Sequence, residues 1–146
     1  MFHHILVPLD QSTYAERALL YARDLSNTSQ TKISLLAIVD GLDDELASPE
    51  LQRAAEIRMQ RAQLYLDKRA DAERAAGTEN VDSHLRSGEP AAAIVDVARE
   101  IDADLIVMST HGSGARGRHA LGSVAQKVLV SPPCPILTVP IAEETH

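Results

Sequence analysis

The chain has 146 residues, a formal net charge of −7, 45% hydrophobic residues, 3% aromatic residues and no tryptophan. That length suits one domain of ordinary size, residues 1–146, whose core is built from Ala, Leu, Ile and Val. The acidic balance excludes a general nucleic-acid binder, which needs a dominant basic face, and the longest aliphatic run, residues 35–39, is far short of the ~20 residues that span a bilayer.

Short aliphatic runs alternate with longer helical patterns. Ile5-Leu-Val-Pro-Leu9 reads as a buried strand. A helix to about Asn27 follows, opened by Thr13 and Glu16 in capping-box spacing, with Ala15, Leu19, Ala22 and Leu25 on one face. Residues 33–39 read as the second strand, and residues 40–47 as an acidic loop. Ser48-Pro49-Glu50 is a strong helix start: a hydroxyl cap, proline at the first helical position and an acid in the first turn. The stripe Leu51, Ala55, Met59, Ala62, Leu66, Ala70 carries that helix to Ala76, where Gly77 supplies a left-handed stop. Its many Arg and Gln positions read as a solvated face or a partner surface. Residues 81–86 alternate as a third strand near a sheet edge, and Gly88-Glu-Pro90 opens a helix with Ile94, Val97, Ala98 and Ile101 facing inward. Residues 105–108 form the fourth strand, residues 122–130 a helix, and residues 136–139 the last strand.

Aliphatic strands separated by helices predict an α/β fold: a doubly wound, five-stranded parallel sheet with helices on both faces. Ligands of such sheets bind outside the carboxyl ends of the strands, at the point where strand order reverses. The residues to weigh are therefore Asp10, Val39-Asp40 and Ser109-Thr-His-Gly112.

Gly112-Ser-Gly-Ala-Arg-Gly117 spells G-x-G-x-x-G, but it follows the fourth strand, and no acid appears before Glu143 to bind a ribose, so a dinucleotide fingerprint is refused. No Gly-Lys-Ser/Thr exists, which excludes a Walker A loop. Between Leu105 and Ile141 there is no Asp or Glu, while Arg116, Arg118 and Lys127 lie there. This cationic zone suits a small anionic ligand, unless it is a chance gap in the acids.

A wider spacing fits better. Ser109-x-x-Gly112 is followed nine residues later by Gly122-Ser123. With Ile5-Leu-Val-Pro-Leu-Asp10 and Ser12, Leu35-Leu-Ala-Ile-Val-Asp40, Gly88-Glu-Pro90, Leu121-Gly-Ser-Val-Ala-Gln-Lys-Val128 and Cys134-Pro-Ile-Leu-Thr-Val139, the chain resembles the universal stress protein family over nearly its whole length. The nucleotide-binding members of that family carry G-x-x-G, nine residues, then G-S/T. The resemblance implies a Rossmann-like fold of the adenine nucleotide alpha hydrolase-like type and binding of ATP, with Mg²⁺, by a homodimer. It implies that Gly112, Gly122, Ser123 and Val124 hold phosphates, that Pro8 and Asp10 flank ribose and adenine, and that Ile38 packs on the base with Val39 beside it. Arg116 and Arg118 are added from their charge, as groups that reach the outer phosphates. The physics agrees: glycines let the backbone approach phosphate oxygens, and a helix start favours anions. Ser109 departs from the motif. Its hydroxyl could donate to a phosphate, but if the backbone there needs φ > 0, serine costs about 1 kcal/mol or more.

Several residues keep two readings. Asp10 contacts ribose or Mg²⁺, or it caps the following helix. His111 touches phosphate or stabilises the turn. None of the six histidines has metal-ligand spacing, and no metal site is expected. Cys134 reads as a small apolar residue leading into the last strand. With one cysteine no internal disulfide forms, and residues 1–10 lack a basic segment and a small-residue cleavage site, so a cytoplasmic protein is expected. The last strand, from Ile136 to Pro140, should lie at a sheet edge. Pairing with its copy in a second subunit would cover that edge, as the resemblance implies; Pro140 as an edge block in a monomer is the alternative.

The expected function is that of an ATP-binding, homodimeric stress-response regulator or sensor. No general base stands out, so hydrolysis should be slow at most. A dimeric interaction module that binds no nucleotide is the alternative, and a nucleotidyl transferase a weaker one.

Overall fold

The structure, a computed structural model, describes residues 1–26, 29–41, 48–111 and 121–140. The elements run β1 (His4–Pro8), α1 (Thr13–Leu25), β2 (Lys32–Val39), α2 (Pro49–Ala75), β3 (Val81–Ser87), α3 (Pro90–Glu100), β4 (Leu105–Ser109), α4 (Ser123–Val130) and β5 (Ile136–Val139). All strand pairs are parallel, in the order β3-β2-β1-β4-β5. Strand order therefore reverses between β1 and β4, and both β3, with its alternating pattern, and β5 are edges, as expected.

Two cores result from the two-residue period of the strands. Ile5, Val7, Ile33, Leu35 and Val107 pack on one face against Ala18, Leu19, Ala62 and Leu66 of α1 and α2. Leu6, Leu36 and Ile106 face Ile94, Val97, Ala125 and Val128 of α3 and α4. Helix ends follow local chemistry. Gly77 takes φ +102, and Thr78 N–H closes on the Glu73 carbonyl at 3.0 Å, ending α2. Cys134 packs half-buried against the second core, and burial, with Asp104 nearby, pushes its thiol up.

Three expectations shift. The cap of α1 is Ser12 rather than Thr13: Ser12 is extended (φ −79, ψ 152), and its hydroxyl accepts from Ala15 N–H at 3.1 Å. Leu25 and Leu51 are 41% and 45% exposed, because each sits at a helix end past the sheet it was expected to cover. A carboxylate, Glu73, lies wholly buried on the α2 stripe. There Arg23 grips it through Nη2–Oε1 at 2.6 Å and Nε–Oε2 at 3.0 Å, tying α1 to α2, with Arg69 Nη2 3.9 Å away.

The amino end of the sheet is polar. Asp104 accepts from the N–H groups of His3 and His4 at 2.8 and 2.9 Å. His4 Nε2 lies 2.6 Å from the buried Ser34 hydroxyl, which donates to Asp82 at 2.5 Å. Burial holds His4 below its usual 6.5, against the pull of Asp82. Burial pushes Asp82 and Asp104 up, but hydrogen bonds from Ser34 and Lys32 to the first, and from the His3 and His4 N–H groups to the second, hold both below 3.8. Glu89 is held below 4.5 chiefly by Ala92 N–H, with help from Ala91 N–H and Lys127 against burial.

Each of these groups binds its proton less readily folded than unfolded, so stability rises with pH through each window. Chemical denaturation across pH is expected to show a first loss as pH falls below 6.5, from His4, and a steeper one below 4.5, from the three carboxylates. His4→Gln should remove the first step and leave the second. A wild-type profile flat from pH 7 down to about pH 5 contradicts the assignment of the upper step to His4.

Candidate nucleotide site

A cavity of about 820 Å³ opens at the carboxyl ends of the strands. The chain end of β1 contributes Pro8, Asp10 and Gln11, and that of β2 contributes Ile38, Val39 and Asp40. From β4 come Met108, Ser109, Thr110 and His111; Gly122, Ser123, Val124 and Ala125 open α4. Pro90 and Ile94 of α3 and Arg58, Arg61 and Ala62 of α2 complete the wall.

Of the residues singled out from sequence, Pro8, Asp10, Ile38, Val39, Ser109, Gly122, Ser123 and Val124 all line this one cavity. Gly112, Arg116 and Arg118 lie outside the described residues. The sequence reading missed Arg58 and Arg61, whose helix it read as a solvated face or a partner surface. The signal was present: a helix that follows a strand starts beside that strand's carboxyl end, and i, i+3 spacing sets the two guanidiniums on one side.

The start of α4 is the chemically distinctive wall. Ser12 caps α1, Ser48 caps α2 and Glu89 caps α3, each accepting helix N–H groups through its side chain. The residue before α4 is Gly122, which has no side chain to offer and makes no such cap. The first turn of a helix leaves N–H groups without intrahelical partners, and here that turn faces the cavity. Gly122 is required by proximity, not by conformation. Its φ is −64, but a Cβ would stand 2.9 Å from the Thr110 carbonyl oxygen and 3.4 Å from His111 Cα. Gly122 N–H donates to that same Thr110 oxygen at 2.7 Å, which ties α4 to the end of β4.

Ser109 is free of the strain feared from its sequence. It closes β4 in register with Val139, and the non-glycine residues with positive φ among those described are Gln11 and Asp102. Its hydroxyl donates to the His111 carbonyl, so its one proton steadies the turn and is not offered to a phosphate. His111 is buried, with Nδ1 2.8 Å from Thr110 Oγ1; its Nε2 is buried with no hydrogen-bond partner among the described residues. Asp10 does not itself cap α1. Its Oδ1 accepts from Ser12 N–H at 3.0 Å and from Ser12 Oγ at 2.5 Å, orienting the residue that does. The strained backbone of the β1–α1 turn falls on Gln11 (φ +68), at the cavity wall.

Residues 1–140 match the family model described as "Universal stress protein family". The chain belongs to the universal stress protein family. A universal stress protein of Thermus aquaticus, encoded 3′ of a QAH/OAS sulfhydrylase, is 37% identical over 139 residues, covering 95% of this chain and 99% of its own. Among solved structures, MJ0577 superposes with a TM-score of 0.88 at 24% identity, covering 99% of each chain. UspA of Lactobacillus plantarum superposes at 0.82 and 25%, covering 93% of this chain and 96% of its own. Two more distant universal stress proteins share the fold with a nucleotide bound. One is a complex with cAMP (TM-score 0.65, 23% identity, 97% and 98% coverage). The other is the Arabidopsis thaliana protein with AMP (0.63, 20%, 93% and 90%). No helix among the described residues is long and apolar enough to cross a membrane.

Proposed function

We propose that this universal stress protein binds an adenine nucleotide, ATP with Mg²⁺, in the cavity at the carboxyl rim of its sheet, and acts in the cytoplasm as a homodimeric stress-response regulator or sensor. The observation that carries the reading is the uncapped first turn of α4 opening into a cavity at the β1/β4 switch point, with Gly122 pressed against Thr110. Phosphate is the anion such a turn suits, because N–H groups and helix dipole act together. In this reading Gly122, Ser123 and Val124, with Gly112, hold phosphates; Ile38 and Val39 meet the base; Pro8 and Asp10 flank ribose and base; and Arg116 and Arg118 reach the outer phosphates. The related structures with AMP and cAMP support the ligand class. No general base to activate water stands out among the described residues of the wall, so hydrolysis is expected to be slow at most.

The dimer forms through β5, from Ile136 to Pro140. Its support is that β5 pairs with β4 alone within the described sheet, leaving a strand edge for another copy. Native mass spectrometry tests both parts of the proposal. The expected spectrum shows twice the 15.8 kDa chain mass, with additional mass from a carried or added adenine nucleotide. A bare monomer that takes up no nucleotide contradicts both. A dimer without nucleotide favours the same fold used as an interaction module.

A further inference from the structure

The cavity straddles the rim of the sheet. Ala15, Val39 and Ala62 in its wall belong to the core under α1 and α2, whereas Ile94, Met108 and Ala125 belong to the core under α3 and α4. The two sides differ in chemistry. On the α3/α4 side the wall is aliphatic up to the open turn of α4. On the α1/α2 side it carries two guanidiniums, Arg58 and Arg61, one helical turn apart.

Their engagements differ too. Arg58 donates through Nη2 to the backbone oxygen of Asp40, which draws it over the end of β2. Arg23, Arg69, Arg74 and Arg86 each pair with a carboxylate. Arg61 makes no hydrogen bond or ion pair among the described residues. Of the carboxylates of the wall, Asp10 accepts from Ser12 and Asp40 accepts from Gly41 N–H at 2.7 Å. A guanidinium at the wall of an anion site, without a carboxylate to neutralise it, matches phosphate oxygens in fork geometry.

We infer that Arg61 binds a phosphate of the nucleotide across the rim from α4, so that α2 grips the distal part of a polyphosphate and the site selects ATP over adenosine. The inference rests on the nucleotide reading above. Arg58 holds the strand end beside it and is secondary. Because Arg61 is exposed, water competes with it. Its effect is therefore that of one charge-assisted contact, about tenfold in affinity.

Calorimetric titration of wild type, Arg61→Gln and Arg53→Gln with adenosine, AMP and ATP tests this, with Arg53 an exposed position of α2 outside the cavity wall. Arg61→Gln should weaken ATP about tenfold and change adenosine less than about twofold, while Arg53→Gln follows wild type throughout. Added salt should weaken ATP less in Arg61→Gln than in wild type. Wild-type binding of ATP with no loss in Arg61→Gln overturns the inference alone, as does an equal loss for adenosine. A wild type that binds none of the three ligands overturns the nucleotide reading and this inference with it.

Discussion

Valine at position 122 is expected to abolish nucleotide binding. The backbone torsion at Gly122 (φ −64, ψ 156) is open to any residue, so the effect is one of contact. A Cβ would lie 2.9 Å from the Thr110 carbonyl oxygen, and both neighbours it meets first are backbone atoms. They cannot swing aside as a side chain would. Either the end of β4 or the first turn of α4 must retreat, and the 2.7 Å bond from Gly122 N–H to Thr110 is lost. The N–H groups of Ser123 and Val124 then no longer point to the proposed phosphate position. Losing two charge-assisted hydrogen bonds of about 1.5–3 kcal/mol each weakens binding about a hundredfold or more. Gly122→Ala should show a smaller loss of the same kind. Titration with ATP reads the affinity, and circular dichroism shows whether α4, held in the core by Ala125 and Val128, stays folded. A folded Gly122→Val protein with affinity within threefold of wild type would mean that the α4 turn does not touch the ligand.

The largest effect on stability is expected at Glu73. Its carboxylate has no exposure, and its main partner, the Arg23 guanidinium, is 33% exposed. Removing one member of a buried pair leaves the other desolvated and unpaired, which costs about 3–5 kcal/mol. Arg23 retains some water, so the lower value, about 3 kcal/mol, applies to Glu73→Ala. For a chain of this size that is a fall in Tm of roughly 10 °C. Arg23→Ala should cost a similar amount, since it leaves Glu73 with only the distant Arg69 and a 3.4 Å contact from Thr78 Oγ1. The double variant should be less destabilised than the sum of the two, because it removes the charge and its counter-charge together. Thermal unfolding of the three variants checks this; single variants that melt within about 2 °C of wild type would show that the pair contributes little.

The fold was legible because its central strands are largely aliphatic on both faces and its helix starts carry distinct chemistry. Ser48-Pro49 and Glu89-Pro90 announced α2 and α3 to within a residue. The first cap was misassigned because Ser12 and Thr13 are adjacent hydroxyls; what distinguishes them is the extended backbone of Ser12 and its hydroxyl accepting from Ala15 N–H, with Asp10 orienting it. Glu73 was invisible for a different reason. It continues the Ala62, Leu66, Ala70 stripe, but nothing local says that a charge at that position is buried; its partner lies 50 residues earlier, on another helix.

The site was legible where backbone makes it. Asp10, Val39 and Ser109 follow from topology, Gly122-Ser123 from spacing, and Pro8 and Ile38 from the family resemblance; all reach one cavity. The doubt over Ser109 came from treating a motif glycine as a torsional need; in the fold that residue is ordinary strand. What spacing could not supply was the α2 wall. Arg58 and Arg61 look like surface charge in a long amphipathic helix, and only the sheet's geometry places them over its carboxyl rim.

Calorimetric titration of the wild-type protein with Mg-ATP tests the central claim most directly. The account predicts saturable binding in the micromolar range at one site per chain; no heat and no saturation with ATP, AMP or cAMP would contradict it.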